Sequence, residues 1–454
     1  MTDWITQRLA SFADKPVALS KNTSVSYQQL LTQIEQWQEA IANWSIKAGD
    51  RVGLVSDYHI NVVALVQALI NQGCIVIPMS EDDRGMFDER LEESFANKLL
   101  TVTDMNNINI DTVSCQDLTP PTPLHELLTP MVNEHKPGFI IFTSGSTGKG
   151  KAVLLDFERM TAKFTTKVRP SFKTLLFLKL DHIGGLNTLF SVIYNGGTIV
   201  TCPSRQAKDI CEAIETHRVE LLPTTPSFLT MLLMSRIYEQ CDLSSLKVVT
   251  YGTEVMPAST LNGMSKIFTD VHLKQTYGLS ELGILSTKSK SNESKWMKIG
   301  GQGFELKVVD DVLWIKSQSA MLGYLNAPSP FDQDGWYNTG DKVEVDGEYF
   351  KILGRESEII NVAGEKVYPI EVENFLLTLE NVKDVVVRAK KSPITGQTIW
   401  AEFVMKNDEP KTDFKKRILN ACKAHFPPFK VPGVITIASD DVLMGSRFKK
   451  IRKV

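Results

Sequence analysis

Apolar side chains recur at steps of three and four residues between residues 26 and 45, at Leu30, Ile34, Trp37 and Ile41. These steps match the 3.6-residue turn of an α-helix, so the pattern predicts an amphipathic helix. Its apolar face should be buried against the rest of the domain.

Elsewhere, short apolar runs alternate with helical patterns, which is typical of layered α/β domains. The first series predicts a strand over 49–56, a helix over 61–72 and a strand over 74–80. The second series predicts strands over 174–180, 198–202 and 219–225, with helices over 186–197 and 209–218. Two similar α/β subdomains are therefore expected.

The pattern changes after residue 304, where short strands with turn signals over 305–317 and 342–355 predict a β-rich subdomain. The segment that follows carries strand and helix patterns of its own. We predict an α/β fold with a large N-terminal domain, residues 1–353, built of layered α/β subdomains plus the β-rich subdomain. A small α+β C-terminal domain, residues 354–454, completes it.

Composition excludes several classes of protein. The chain has 454 residues, enough for two or more domains of about 150 residues each. Its 50 Lys and Arg nearly balance 53 Asp and Glu, so charge predicts no nucleic-acid partner. Six cysteines form no CxxC pair, which indicates neither a zinc site nor a disulfide framework. Since no apolar run approaches ~18 residues and the first residues lack a signal-peptide core, we expect a cytoplasmic protein without membrane insertion.

The strongest local signal is a loop of glycine, hydroxyl and lysine side chains over 143–151, between the apolar runs 139–142 and 152–155. Glycines let a polyanion approach the backbone, hydroxyls donate hydrogen bonds and lysines neutralise phosphate charge. The loop is interpreted as a phosphate-binding site. A Walker A loop is one alternative, matched by 145–151 except that Ala152 replaces the Ser or Thr that reaches magnesium; a solvated turn is the other.

The loop TSGSTGKGKA, 143–152, resembles the T-S-G-[ST]-T-G-x-P-K-G signature of the adenylate-forming enzymes, which include acyl- and aryl-CoA synthetases. Gly150 and Ala152 replace the proline and glycine of that family, and neither change removes a phosphate-binding group. Two more motifs follow in the family's order. QTYGLSE, 275–281, resembles Y-G-x-[ST]-E, and WYNTGD, 336–341, resembles Y-x-T-G-D.

The resemblance implies a binding site for ATP and Mg²⁺. By position, the resemblance implies that Tyr277, Gly278 and Ser280 contact adenine and phosphate, that Glu281 holds magnesium and that Asp341 binds ribose. The residues that it implies for the triphosphate are Thr143, Ser144, Gly145, Ser146, Thr147, Gly148 and Lys151. Gly252, Thr253 and Glu254 stand in the place of a loop that lines adenine and the acyl pocket. From the residues alone, 280–281 is also typical of a capped helix start and 340–341 of a turn.

Two further runs, 354–358 and 364–373, resemble the hinge and first loop of the family's small mobile domain. The resemblance implies that Arg355 contacts ribose. The tunnel for the pantetheine arm of the thiol would be lined by Gly364, Glu365 and Lys366. Ser357 stands where the family carries an acidic or basic hinge residue, which leaves the hinge position open.

A catalytic lysine is expected after the run FKVP, 429–432, which resembles the family's aromatic-K-V-P. Lys450 keeps the spacing from Leu443 and precedes an isoleucine, whereas Lys449 keeps an arginine three residues later. Lys450 is favoured. Lys449, or a solvated basic tail without a catalytic role, remains the alternative.

The resemblance thus implies an ATP-dependent acid:thiol ligase, which forms an acyl-adenylate, releases pyrophosphate and then transfers the acyl group to a thiol. Because the carboxylate and ATP are both anions, catalysis should rest on positioning and charge neutralisation, with Lys151 and Lys450 as the main cations. His182, in the run 180–186, falls at the family's gate beside the carboxylate. It is a candidate for positioning the acid, and a structural histidine is the alternative.

The substrates remain open at this stage. His182 and the short chain resemble compact aryl-acid ligases such as the o-succinylbenzoate:CoA ligases, yet the pocket sequence fits aryl and short acyl acids alike. The thiol could belong to CoA or to the phosphopantetheine of an acyl carrier protein. A noncatalytic nucleotide-binding protein on the same fold is a rival. It is disfavoured because the chain retains Lys151, Ser280, Glu281, Asp341, Arg355 and a lysine near its end.

Overall fold

The structure is a computed structural model that describes residues 3–20, 23–143 and 150–438. The α-helices of these ranges are α1 (Asp3–Ala10), α2 (Tyr27–Asn43), α3 (Ile60–Gln72), α4 (Phe87–Glu93), α5 (Leu128–Asn133), α6 (Phe157–Thr165), α7 (Ile183–Ile193), α8 (Ala207–His217), α9 (Pro226–Ser235), α10 (Ala258–Ile267), α11 (Pro369–Leu376) and α12 (Lys411–His425). Short 3₁₀ segments span Glu81–Met86, Ile110–Thr112, Ile237–Glu239, Glu356–Glu358 and Pro428–Lys430. Within this part of the chain no helix combines the length and apolar character needed to cross a bilayer.

Strands occur throughout the described chain. The first half carries β1 (Pro16–Ser20), β2 (Thr23–Ser26), β3 (Arg51–Val55), β4 (Ile75–Met79), β5 (Lys98–Val102), β6 (Val113–Asp117), β7 (Gly138–Thr143), β8 (Lys151–Asp156), β9 (Lys173–Leu175), β10 (Thr198–Val200) and β11 (Leu221–Thr224). The second half carries β12 (Val248–Tyr251), β13 (His272–Gln275), β14 (Gly278–Leu279), β15 (Gly283–Ile284), β16 (Ser286–Ser289), β17 (Met297–Gly300), β18 (Phe304–Val309), β19 (Val312–Ser317), β20 (Gly323–Tyr324), β21 (Tyr337–Asp346), β22 (Tyr349–Arg355), β23 (Ile360–Val362), β24 (Glu365–Val367), β25 (Val382–Ser392), β26 (Gly396–Met405) and β27 (Val434–Ile437).

Two seven-stranded sheets form the bulk of the N-terminal part, in the orders β13-β12-β11-β9-β10-β1-β2 and β20-β8-β7-β4-β3-β5-β6. Their central strands are parallel and are connected through helices, as the alternating sequence pattern predicts. Ligand sites in such sheets form beyond the carboxyl ends of the strands. The loops that follow β7, β11, β12 and β13 are therefore placed to build a site.

Helix α2 shows how the sequence pattern becomes structure. Ser26 caps the helix, since its side chain accepts a hydrogen bond from the Gln29 amide while the Gln29 side chain accepts one from the Ser26 amide. This capping box satisfies two backbone donors at the helix start. Leu30, Ile34 and Trp37 are buried together with Ile41, which confirms the predicted amphipathic face.

One predicted strand is much shorter than expected. The apolar run 174–180 predicted one strand along its whole length. The observed strand, β9, spans only Lys173–Leu175, and its pairing with β10 ends at Leu175 opposite Val200. Leu176 and Leu180 are still buried, in a hydrophobic core to which both large sheets contribute. The apolar run therefore reflects burial between two layers and not strand length, which periodicity alone does not distinguish.

The remaining sheets separate into a β-rich part and a C-terminal part. The six-stranded antiparallel sheet β16-β17-β22-β21-β19-β18 matches the predicted β-rich subdomain. Beyond it, β23 to β27 form a five-stranded sheet with α11 and α12, and their side chains build a separate hydrophobic core between Ile360 and Ile435. The predicted α/β class, with a large N-terminal domain and a small α+β C-terminal domain, is confirmed.

Candidate active site

A cleft of about 2100 Å³ lies among the two large sheets, the β-rich sheet and the C-terminal part of the chain. The predicted site residues that line it are Thr143, Lys151, His182, Gly252, Thr253, Glu254, Tyr277, Gly278, Ser280, Glu281, Asp341 and Arg355. Ser144, Gly145, Ser146, Thr147, Gly148, Lys449 and Lys450 lie outside the described residues. Motifs that are far apart in sequence therefore converge on one cavity.

The residues predicted for adenine, ribose and the hinge form one polar cluster. The Tyr277 hydroxyl donates a hydrogen bond to Asp341 Oδ2 at 2.5 Å. The other carboxylate oxygen, Asp341 Oδ1, lies 3.4 Å from Arg355 Nε. Asp341 and Arg355 are register partners on the antiparallel strands β21 and β22, which brings the two side chains together.

The local environment fixes the Asp341 carboxylate. Burial raises the pKa of Asp341, and the Arg355 guanidinium together with the Tyr277 hydroxyl opposes that rise. Burial also raises the pKa of Tyr277, so its hydroxyl remains a donor. The Asp341 amide donates to Thr339 Oγ1 at 3.0 Å, and that hydroxyl donates to the Leu313 carbonyl at 2.6 Å. The result is an immobilised acceptor at the cleft wall, suited to a vicinal diol.

Lys151 begins β8 at the exit of the glycine-rich loop. Its ammonium lies 4.7 Å from the centre of the Tyr324 ring, a cation–π contact that leaves the charge directed to the cleft. Asn326 braces both sides of this lysine: its Oδ1 accepts from the Ala152 amide at 2.8 Å, and its Nδ2 donates to the Gly150 carbonyl at 2.8 Å. The loop exit is thus held in place by a side chain remote in sequence.

Glu281 presents a buried carboxylate to the same region. The Tyr324 hydroxyl donates to Glu281 Oε1 at 2.7 Å. Burial raises the pKa of Tyr324 and of the neighbouring Tyr337, so both hydroxyls stay protonated beside the carboxylate. Across the described ranges, no group of three or more His, Cys, Asp or Glu is arranged to hold a metal ion. One carboxylate fits a magnesium ion that ATP phosphates also coordinate, because Mg²⁺ commonly uses one or two protein carboxylates plus phosphates.

The loop after β12 is strained and anchored. Thr253 has φ of 72°, which is uncommon for a β-branched residue and marks a constrained turn. Glu254 Oε2 accepts from Ser227 Oγ at 2.6 Å and from the Ser227 amide at 3.3 Å. Ser227 lies at the start of α9, where the helix dipole favours a carboxylate. Glu254 therefore ties the loop to α9, while Gly252 and Thr253 face the cleft.

His182 has a structural role in α7 and also lines the cleft. It is the N-cap of α7, and its Nδ1 accepts a hydrogen bond from the Gly184 amide at 3.0 Å. Because Nδ1 is an acceptor, the proton of the neutral ring resides on Nε2. The ring is thus oriented by a structural hydrogen bond and still lines the cleft.

The predicted thiol-tunnel residues lie elsewhere. Gly364, Glu365 and Lys366 are exposed, and none of them is part of the cleft wall. The Gly364 amide donates to Asn361 Oδ1 at 2.8 Å, and its φ of 93° favours glycine. The C-terminal part instead contributes Pro369, Val387, Arg388, Ala389 and Gln397 to the wall. The described arrangement therefore does not bring the predicted tunnel to the cleft.

Sequence reasoning missed Lys163, Tyr324 and Asn326. Tyr324 lies on β20, whose pairing with β8 places it beside Lys151. No period or charge pattern marks it, although the short run GYLN at 323–326 was a possible signal. Lys163 occupies an ordinary helical position in α6 and becomes notable only because it lines the cleft.

Comparison with known proteins identifies the class. Residues 5–325 match the AMP-binding enzyme family and residues 371–447 match the AMP-binding enzyme C-terminal domain. The chain therefore belongs to the AMP-binding enzyme family, which confirms the predicted adenylate-forming resemblance.

The individual proteins to which the chain is similar include several CoA ligases. The chain is 26% identical to a 2-succinylbenzoate–CoA ligase of Bacillus pumilus, over 95% of this chain and 92% of that protein. The fold is similar to the anthranilate CoA ligase AuaEII in complex with anthranoyl-AMP, with a TM-score of 0.81, 20% identity and coverage of 99% and 95% of the two chains. It is also similar to o-succinylbenzoate CoA synthetase of Bacillus subtilis in complex with its acyl-adenylate, with a TM-score of 0.79, 20% identity and coverage of 99% and 97%.

Proposed function

We propose that this chain is an ATP-dependent acid:CoA ligase that joins a carboxylic acid to AMP, releases pyrophosphate and transfers the acyl group to CoA. One observation carries the proposal: residues expected to bind adenine, ribose, phosphate and magnesium line a single cleft although they come from distant parts of the chain. Membership of the AMP-binding enzymes and the CoA-ligase names of the relatives support the same reaction.

The acid is proposed to be aromatic. The relatives are named for 2-succinylbenzoate and anthranilate. The cleft wall offers the apolar side chains of Leu178, Ile183, Leu221 and Ile284 to such a ring. The same names support CoA over the phosphopantetheine of an acyl carrier protein as the thiol acceptor.

Adenylation requires two anions to meet, so the residues act by positioning and charge neutralisation. The proposed roles are the loop 143–148 and Lys151 for the triphosphate, Asp341 and Arg355 for the ribose, His182 for the orientation of the acid, and Lys450, with Lys449 as the alternative, for the carboxylate and bridging oxygen. Magnesium bound with ATP would be held by Glu281 and would screen phosphate charge. In this proposal residues 1–353 form the adenylation domain and 354–454 a mobile lid.

The test is acid-dependent pyrophosphate release and thioester formation by the full chain, with Mg-ATP, CoA and a panel of aryl, fatty and amino acids. An aryl acid should support both reactions. The Asp341→Asn variant should lose about 10- to 100-fold in kcat/KM for ATP, the range expected when a charged hydrogen bond is removed.

Asp346→Asn is the matched control, because Asp346 ends the same strand, pairs with Lys290 at the surface and lies outside the cleft wall. It should leave kcat/KM for ATP unchanged. A chain that binds Mg-ATP but releases no pyrophosphate with any acid of the panel would be a noncatalytic nucleotide-binding protein, and the proposal would be wrong.

A further inference from the structure

One end of the cleft concentrates positive charge that the proposed ATP site does not use. Lys163 of α6, Arg169 beyond the end of α6 and Lys274 of β13 all line the cleft, and Arg169 interacts electrostatically with both lysines. We term the part of the cleft that they line the cationic end. Within the described part of the chain none of the three forms an ion pair with a carboxylate. Arg169 is exposed, whereas Lys163 and Lys274 are half-buried, and charged groups withdrawn from water ordinarily find a partner of opposite charge.

Lys163 is fixed where it can meet a ligand. Its ammonium donates to Asn187 Oδ1 of α7 at 2.5 Å and lies 3.4 Å from the Ile284 carbonyl oxygen of β15. It also lies 5.4 Å from the centre of the Phe164 ring. These partners are neutral. An ammonium has three donors, so this arrangement orients the lysine without compensating its charge.

Electrostatics agrees with the geometry. Burial, together with a smaller contribution from repulsion by Arg169, lowers the pKa of Lys163 to about 8. Burial likewise lowers the pKa of Lys274, again with a contribution from Arg169. The cations therefore act on one another, and a bound anion would relieve that repulsion.

The cationic end lies a short distance from the proposed nucleotide site. Lys274 is in register with Thr250 and Pro223 on neighbouring strands, and all three line the cleft. Thr276, next to the loop at Gly252, follows Lys274 by two residues, an offset on the order of 7 Å at about 3.3 Å per strand residue.

We propose that Lys163, with Arg169 and Lys274, binds a second anionic group of the acid, at the end remote from the carboxylate that is activated. The inference rests on the proposed acid:CoA ligase activity and specifies its substrate as an aryl acid that carries a distal carboxylate. Lys163 is the specificity-determining residue, because it is the cation held in place from two elements.

The experiment compares 2-succinylbenzoate with the monoamide that keeps the reacting carboxylate and replaces the other by a neutral carboxamide. Pyrophosphate release by the full chain should favour the dicarboxylate by about 10- to 100-fold in kcat/KM, the range for a charged hydrogen bond. Lys163→Met should reduce this preference by about tenfold, and Lys163→Arg should restore part of it. Lys167→Met, an exposed lysine close by that does not line the cleft, should keep the full preference.

Several results would overturn the inference. One is equal use of dicarboxylate and monoamide by the unaltered chain; another is an equal loss for both acids in Lys163→Met, which would indicate a structural role. The phosphates of CoA are the other source of an anion, so a rise in KM for CoA but not for dephospho-CoA in Lys163→Met would assign the site to CoA and refute the inference.

The two proposals fail in different ways. If no acid is activated, the ligase proposal is wrong, and calorimetric titration with the dicarboxylate and monoamide still tests the cationic end by itself. If monoacids are activated as well as dicarboxylates, the ligase proposal stands and only the inference is wrong.

Discussion

Burial of the Lys163 ammonium destabilises the folded protein, and in the proposed site the same ammonium binds an anionic group of the acid. The pKa of Lys163 is lowered from 10.5 to about 8 in the folded protein. The folded state therefore binds fewer protons than the unfolded state between these values, and stability rises with pH across that window. Below pH 8 the unfavourable burial of the ammonium is fully present.

We expect Lys163→Met to raise the free energy of unfolding at neutral pH by on the order of 1–3 kcal/mol, since one pKa unit corresponds to about 1.4 kcal/mol. Across the window from pH 8 to 10.5, the difference from the unaltered chain should shrink. Denaturant unfolding at several pH values measures it. The variant and the unaltered chain share the other charged groups that line this region, namely Glu158, Arg159, Arg169 and Lys274.

A destabilised Lys163→Met variant, or a difference independent of pH, would contradict this account. It would mean that the hydrogen bond to Asn187 outweighs the burial of the charge. A stabilised variant with a lost preference for dicarboxylates would instead show that stability is sacrificed for specificity, as is common at binding sites.

Helix α7 forms one wall of the cleft, and its position depends on close packing at its first turn. A Cβ atom added at Gly185 would lie 1.9 Å from the Lys179 carbonyl oxygen and 2.6 Å from the Tyr58 hydroxyl. A backbone carbonyl cannot shift as easily as the end of a flexible side chain. An alanine at position 185 could be accommodated only if the first turn of α7 moved. His182 caps that turn.

Gly185→Ala should therefore destabilise the protein by about 1–3 kcal/mol, as overpacking typically does. It should also raise KM for the acid several-fold, because the His182 ring and Asn187 would shift with the helix. Thermal unfolding and the pyrophosphate assay measure the two effects.

Gly263→Ala in α10 is the control, since its added Cβ meets only the flexible end of Leu233, at 2.8 Å from Cδ1. Alanine is the better helix former by about 1 kcal/mol, so this variant should be neutral or stabilised. Similar losses in the two variants would show that α7 is not specially constrained.

At the scale of the whole molecule, the C-terminal part of the chain borders the cleft. The C-terminal part contacts the rest of the chain through the Ala258 amide, which donates to Asn374 Oδ1 at 3.2 Å, and contributes Arg388 to the cleft wall. Gly364, expected beside the thiol, is exposed and away from the cleft. We therefore propose that thioester formation requires a movement that adenylation does not, with the segment Glu356–Glu358 as the hinge.

Ser357→Pro should separate the two half-reactions. Proline fixes φ and restricts the preceding residue, so the hinge would lose much of its freedom. We expect acid-dependent pyrophosphate exchange to remain near the unaltered rate while thioester formation falls by about tenfold or more. Ser357→Ala, which leaves the backbone free, should retain both. Normal thioester formation by the proline variant would argue against the rotation.

Much of the fold and part of the site followed from the sequence alone. The local sequence was sufficient for α2, whose capping box and apolar period lie within one segment. The motif 336–341 was recognised by its resemblance to a family, because its residues alone indicate only a turn. Such features depend on neighbours along the chain, and the sequence displays those directly.

Tertiary structure alone decided which distant groups meet. The contact of Tyr277 with Asp341, the bracing of Lys151 by Asn326 and the uncompensated charge of Lys163 each depend on the pairing of strands or the packing of helices remote in sequence. An isolated lysine in a helical pattern is ordinarily a solvated side chain. Only the closure of a cleft around it, with no carboxylate paired to it among the described residues, makes its charge a feature that a substrate can use.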